Sequence, residues 1–167
     1  MPRWERVSLR SWYTTMDSPF GPVCLVGTEK GLIRVDFQRG DRPVQPDPTW
    51  QEDNGQLELA KHQLQEYCQG QRRQFTLPLA PVGTPFQQRV WQELRSIPFG
   101  TTLTYRELAQ RLRIPGAARA VGHANGRNPL AIVIPCHRLI ASDGQLRGYA
   151  GGIALKRCLL QHEGVKF

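Results

Sequence analysis

The chain has 167 residues, 40 % hydrophobic content and a formal net charge of +8, a composition ordinary for one globular domain or two small ones. No run approaches the roughly 18 to 20 apolar residues of a membrane span. The N-terminal segment mixes arginines with isolated apolar residues and lacks the apolar centre of a signal peptide, so a cytosolic protein is expected.

The charge is uneven. Residues 1–84 carry ten Lys/Arg against ten Asp/Glu, whereas residues 85–167 carry twelve against four. A basic half beside a neutral half points to a polyanionic partner, of which nucleic acid is the commonest. A solvated basic surface is the alternative that charge alone leaves open.

The first half reads as a small antiparallel β-meander. Residues 12–16, 23–28 and 32–37 have strand character, separated by turns at Ser18-Pro19-Phe20-Gly21-Pro22 and Glu29-Lys30-Gly31. Residues 39–54 are polar, contain Pro43, Pro46 and Pro48, and are expected to form a loop. Leu57, Ala60, Leu64 and Tyr67/Cys68 share one face of a predicted helix over 57–69, which Gly70 stops. Residues 75–79 read as a strand or an extended linker. Ala80-Pro81-Val82-Gly83 marks the expected boundary between a first domain, 1–80, and a second, 84–167.

The second half reads as mostly helical. Thr84, Pro85 and Gln87 form a capping box with proline at the first helical position, followed by the stripe Phe86, Val90, Leu94 and Ile97. Thr104 and Glu107 form a second box, followed by Leu108 and Leu112. Ile114-Pro115-Gly116 turns the chain into a short helix of small residues over 117–125, carrying Arg119 and His123. Helix, tight turn and Ala-rich helix make a helix-turn-helix outline; two packed helices with no partner are the alternative. An Asn128-Pro129 turn, an apolar run into Cys136, a loop through Asp143-Gly144 and a last helix over 153–162 complete the chain.

Four cysteines, at 24, 68, 136 and 158, have no CxxC spacing and read as free thiols of a reducing compartment. His62 and Cys68 are six apart, which is not a ligand spacing on a helix, so no metal is expected. Cys136 differs from the others. It lies in Pro135-Cys136-His137-Arg138 between two apolar runs, and a thiol on a rigid turn beside two potential cations is how a chain makes a thiolate nucleophile. Arg138 has two readings there, thiolate stabiliser or structural ion pair, and the structural one is favoured.

Thr84-Pro85-Phe86-Gln87, Tyr105, Ala117-Ala118-Arg119-Ala120-Val121-Gly122, Asn128-Pro129, Ile134-Pro135-Cys136-His137-Arg138, Gly148-Tyr149-Ala150-Gly151-Gly152 and His162-Glu163-Gly164 occur in that order. Together they resemble the O6-alkylguanine-DNA alkyltransferase family, densely in the second half and mainly through Ser18-Pro19-Phe20-Gly21-Pro22 and strand order in the first. The resemblance implies an α+β first domain of ribonuclease H-like type and a second domain with a winged-helix-like helix-turn-helix.

It further implies irreversible, single-turnover transfer of an alkyl group from O6-alkylguanine, less readily from O4-alkylthymine, to Cys136, without a cofactor. By the same resemblance His137 relays the thiol proton through water and Glu163 orients it. Asn128 hinges the helix-turn-helix to the cysteine turn, and Tyr105 contacts the extruded base. Arg119 fills the space that the base vacates. Ala118, Ala120 and Gly122 let the second helix approach the minor groove, Arg127 contacts phosphate, and Pro135, Leu139, Tyr149, Ala150 and Gly151 wall the pocket. The implied partner is alkylated duplex DNA, bound with little sequence preference by a monomer; clustering along DNA is left open. The zinc ligands of some members have no counterpart here. Two other classes remain as alternatives, a helix-turn-helix regulator with a cysteine sensor and a cysteine hydrolase.

Overall fold

A computed structural model describes residues 10–37, 46–53, 55–149 and 151–166. The chain divides into two compact units, Met1–Pro81 and Val82–Phe167.

In the first unit, β1 (Ser11–Met16), β2 (Val23–Thr28) and β3 (Gly31–Phe37) form antiparallel pairs with Met16 opposite Val23 and Leu25 opposite Val35. Val23, Cys24, Leu25 and Val26 are buried on both faces, which is why β2 reads as a continuous apolar run rather than an alternating one. The sheet is mixed, not a pure meander. Gln51–Glu52, expected in a loop, form β4 and pair in parallel with β1, giving the order β3-β2-β1-β4. Two polar residues give no periodic signal, and their pairing is with a strand some 40 residues earlier; most of the preceding loop, 38–45, lies outside the described residues.

Helix α1 (Glu58–Cys68) buries Ala60, Gln63, Leu64 and Tyr67. Gln63 pins the following segment by donating to the Thr76 carbonyl at 3.2 Å and accepting from the Thr76 N–H at 2.9 Å. Residues 75–79 are an extended linker with a single parallel bridge, Leu32 to Leu79. Gly31, at φ +143°, permits that approach, because a Cβ there would strike the Pro78 backbone.

In the second unit both capping boxes form as the sequence predicts. Thr84 and Gln87 cap α2 (Pro85–Leu94), and Thr104 and Glu107 cap α3 (Tyr105–Arg111). The buried face of α2 is Val90, Trp91 and Leu94. Trp91, outside the predicted stripe, donates its indole N–H to the Ala124 carbonyl at 2.9 Å, joining α2 to α4 (Ala118–Gly126). Helices α2, α3 and α4 pack on one another. A two-stranded parallel ribbon, β5 (Leu103–Thr104) with β6 (Leu139–Ile140), holds the start of α3 beside the exit of a single 3₁₀ turn, Cys136–Arg138. Helix α5 (Ile153–His162) packs on that turn. Among the described residues no helix is long and apolar enough to cross a membrane.

Candidate active site

The segment leading to Cys136 is a series of tight turns. Ile134 N–H donates to the Leu130 carbonyl at 2.9 Å, Val133 N–H to Ala131 at 2.8 Å and Cys136 N–H to Ile134 at 2.8 Å. The Ala131–Val133 bond closes a γ-turn with Ile132 at its centre, at φ 71°, a rare conformation for a β-branched residue. Ile132 is only 2 % exposed, so its burial offsets the strain. Asn128 braces the turns from inside, donating to the Ile134 carbonyl at 2.8 Å while its Oδ1 accepts from Leu130 N–H at 2.9 Å. A second asparagine, Asn125 on α4, donates to the Cys136 carbonyl at 3.4 Å. Asn125 thereby fastens the cysteine turn to the helix that precedes it, whereas the bonds of Asn128 stay within the segment 128–134.

Cys136 is 6 % exposed. Burial pushes its thiol up, while the side chains of Asn128 and Tyr149 and the Lys156 ammonium pull it down; burial prevails, so the resting thiol keeps its proton. A base is therefore needed. His137, fully buried, places Nε2 2.7 Å from Glu163 Oε2. Arg138 forks onto the same carboxylate, Nε to Oε1 at 2.8 Å and Nη2 to Oε2 at 3.1 Å. Burial pushes Glu163 up, but the bonds and charges of His137 and Arg138 outweigh it and hold the carboxyl well below its ordinary range. Burial lowers His137, reinforced by Arg138 and Lys156 and opposed by Glu163. Glu163 is therefore an ionised carboxylate, because the Arg138 donors remain whether or not the imidazole is charged.

Lys156, absent from the residues singled out by sequence, has no solvent exposure. Its Nζ donates to the carbonyls of Leu139 and Arg147 and lies 5.8 Å from the Tyr105 ring centroid. Burial lowers it to about 8. Its signal in the sequence is a lysine within the apolar stripe Leu155, Leu159 and Leu160 of α5.

A groove of about 740 Å³ is lined by Tyr105, Ala118, Arg119, Gly122, Gly126, Ala141, Arg147, Gly148 and Tyr149. It gathers five of the expected residues from α3, α4 and the loop before α5. Tyr105 donates its hydroxyl to the Arg147 carbonyl at 2.9 Å, and Arg119 is exposed. Cys136, Pro135 and Leu139 are buried and do not line this groove. The thiol connects to it through the side chain of Tyr149, against whose ring Gly151 packs. Ala120 and Arg127 are exposed outside it, and Ala150 lies outside the described residues. Gly126, Ala141 and Arg147 were not singled out by the sequence, since only folding brings them to the groove.

Two family models match, 6-O-methylguanine DNA methyltransferase, ribonuclease-like domain, over residues 12–81, and 6-O-methylguanine DNA methyltransferase, DNA binding domain, over residues 85–165. The chain is 44 % identical over 153 residues to the methylated-DNA–protein-cysteine methyltransferase of Methanosarcina acetivorans, covering 92 % of this chain and 98 % of that one. It is 47 % identical over 150 residues to the Mycobacterium leprae protein of that name, covering 89 % and 90 %. Its fold is similar to that of Mycobacterium tuberculosis OGT in complex with DNA, with a TM-score of 0.84, 45 % identity, and coverage of 91 % of this chain and 92 % of that one. With the two family models matching residues 12–81 and 85–165 and relatives aligned over 89 to 92 % of the chain, the chain belongs to the O6-methylguanine DNA methyltransferase family.

Proposed function

We infer that this protein repairs alkylated DNA by direct reversal, moving the alkyl group of O6-alkylguanine, and less readily of O4-alkylthymine, onto Cys136. The observation that carries the reading is a buried thiol beside a His137–Glu163 pair, behind a groove lined by Tyr105 and Arg119. His137 takes the thiol proton through a bridging water. Sulfur then bonds to the saturated carbon as the carbon–O6 bond breaks in line. The departing guanine regains a proton, offered at N3 by Tyr105 and returned to Tyr105 from the imidazolium through solvent. To reach the base, Tyr105 exchanges the Arg147 carbonyl for the guanine edge. The thioether is inert to water, so each molecule acts once, and the chemistry calls for no cofactor.

On the DNA side, α3 and α4 act as the helix-turn-helix, with the β5–β6 ribbon and the 141–148 loop in the place of a wing. Ala118, Ala120 and Gly122 let α4 enter the minor groove as a monomer with little sequence preference. Arg119 fills the stack that the base leaves, and Arg127 meets phosphate. Tyr149 and Gly151 wall the base, with Pro135 and Leu139 supporting the cysteine beneath them; Ala150, expected beside them, lies outside the described residues. The work is done on cytosolic DNA.

Mass spectrometry after mixing with an O6-methylguanine duplex tests the reading. The peptide containing Cys136 is expected to gain about 14 Da, one methyl in place of hydrogen, and Cys136→Ser to bind the duplex and gain nothing. No gain in the native protein, with a strong preference for one operator sequence, would instead support a cysteine-sensing regulator.

A further inference from the structure

Four donors converge on the Glu163 carboxylate. Oε1 accepts from Arg138 Nε at 2.8 Å and from the Gly100 N–H at 3.1 Å. Oε2 accepts from Arg138 Nη2 at 3.1 Å and meets His137 Nε2 at 2.7 Å. The third arm of the guanidinium, Nη1, donates to the Ile97 carbonyl at 2.7 Å, and its carbon lies 5.8 Å from the centroid of the Phe99 ring. Arg138, His137 and Glu163 are all buried.

A guanidinium is a rigid fork of donors that does not lose its proton in proteins. A carboxylate held by that fork and by a backbone N–H stays ionised, and an ionised carboxylate only accepts. The 2.7 Å contact therefore requires the hydrogen on His137 Nε2. A neutral imidazole protonated at Nε2 carries its lone pair on Nδ1. That atom is buried and has no hydrogen-bond partner among the described residues.

Charge acts in the same sense. The charged and titratable groups around His137 are Lys156 from α5, Glu163 just past the end of that helix, and Cys136 and Arg138 from its own turn, with Tyr105 of α3 beyond Cys136 and Lys156. Of the charged residues acting on His137, Glu163 alone favours the imidazolium, and Arg138 sits directly on Glu163.

We propose that Arg138 is a positioning residue for alkyl transfer, acting through Glu163 to keep His137 a neutral Nε2–H imidazole whose Nδ1 accepts the thiol proton. This rests on the alkyl-transfer reading above and deepens it. A bare Glu163 anion beside the imidazole would favour the imidazolium; the Arg138 charge offsets that anion and leaves the hydrogen bond in place.

The test is the pH profile of alkyl uptake from free O6-benzylguanine, which needs no DNA, for the native protein, Arg138→Lys, Arg138→Gln and the double variant Arg138→Gln/Glu163→Gln. Loss of the cation is expected to move the acidic limb of Arg138→Gln upward by roughly one to three pH units, the effect of a close charge. Arg138→Lys keeps the native midpoint but reacts more slowly at every pH, since the fork is lost and the charge is not. The double variant brings the midpoint back toward native. A native midpoint in Arg138→Gln with only a lower rate would overturn the proposal and leave Arg138 a structural ion pair. Nitrogen NMR of the native histidine decides independently if Arg138→Gln does not fold. A neutral ring protonated at Nε2 at pH 7 is expected, and an imidazolium or an Nδ1–H tautomer refutes the proposal. Failure of the native protein to take up benzyl would sink the alkyl-transfer reading instead, and the NMR result would still judge the tautomer.

Discussion

A lysine ammonium without solvent persists at position 156 because the carbonyls of Leu139 and Arg147 take its protons. Its burial has a pH signature. The folded chain releases this proton near pH 8, whereas the unfolded chain keeps it to about 10.5. The unfolded state therefore binds more protons between those values, and stability gains from this group as pH rises through them. Urea titrations from pH 7.5 to 10.5, a range that brackets the roughly two-unit gap, should show the native protein gaining relative to Lys156→Met. Glu163 has the opposite edge. Its folded value lies below the ordinary 4.5, so its contribution is present above about that pH and is lost as acid protonates the unfolded chain. Glu163→Gln should flatten that acid limb. At Ile132, glycine would relieve left-handed strain of about 1–2 kcal/mol. It would also delete a buried side chain, whose loss costs about 2–5 kcal/mol. Ile132→Gly is thus expected to be a net loss of about 2 kcal/mol, and of at most about 4, by chemical denaturation.

At the scale of elements, the second unit is built from short helices whose ends are specified locally. Thr104 and Glu107 satisfy each other's backbone N–H groups at the start of α3, whose first residue is Tyr105. Thr104→Ala should cost about 1 kcal/mol in thermal or urea unfolding and slow repair in duplex. Helix α4 presents Ala118, Arg119 and Gly122 to one groove. Arg119→Ala is expected to slow alkyl transfer from duplex far more than from free O6-benzylguanine, because only the duplex requires its base extruded. Equal losses on both substrates would remove Arg119 from that role. These elements were readable because caps and apolar stripes are written within a dozen residues. Strand β4 was not, because Gln51 and Glu52 become a strand only by pairing with Trp12 and Tyr13. Trp91 was missed for a related reason, its indole partner being 33 residues away on α4.

Across the whole molecule the basic excess lies entirely in the second half. Two of its cations, Arg138 and Lys156, are buried, while the other ten are exposed. Duplex binding should therefore weaken steeply with salt. Arg127→Ala should reduce the slope of log K against log salt by about one, the signature of one phosphate contact. Its reaction with free O6-benzylguanine should stay unchanged, and an unchanged salt slope would take Arg127 off the DNA.

The chain order of motifs sufficed to place the chain in its family, and the Pro135–Arg138 segment and the basic helical half stood out because those signals are local or compositional; the roles expected of His137 and Glu163 came only with the resemblance. Folding alone decided what surrounds them. Lys156 beneath Tyr105, the Arg147 carbonyl that holds both, and the Arg138 fork on Glu163 join residues 9 to 42 positions apart. Such contacts depend on which backbone carbonyls and buried charges are left to satisfy one another once the helices have packed.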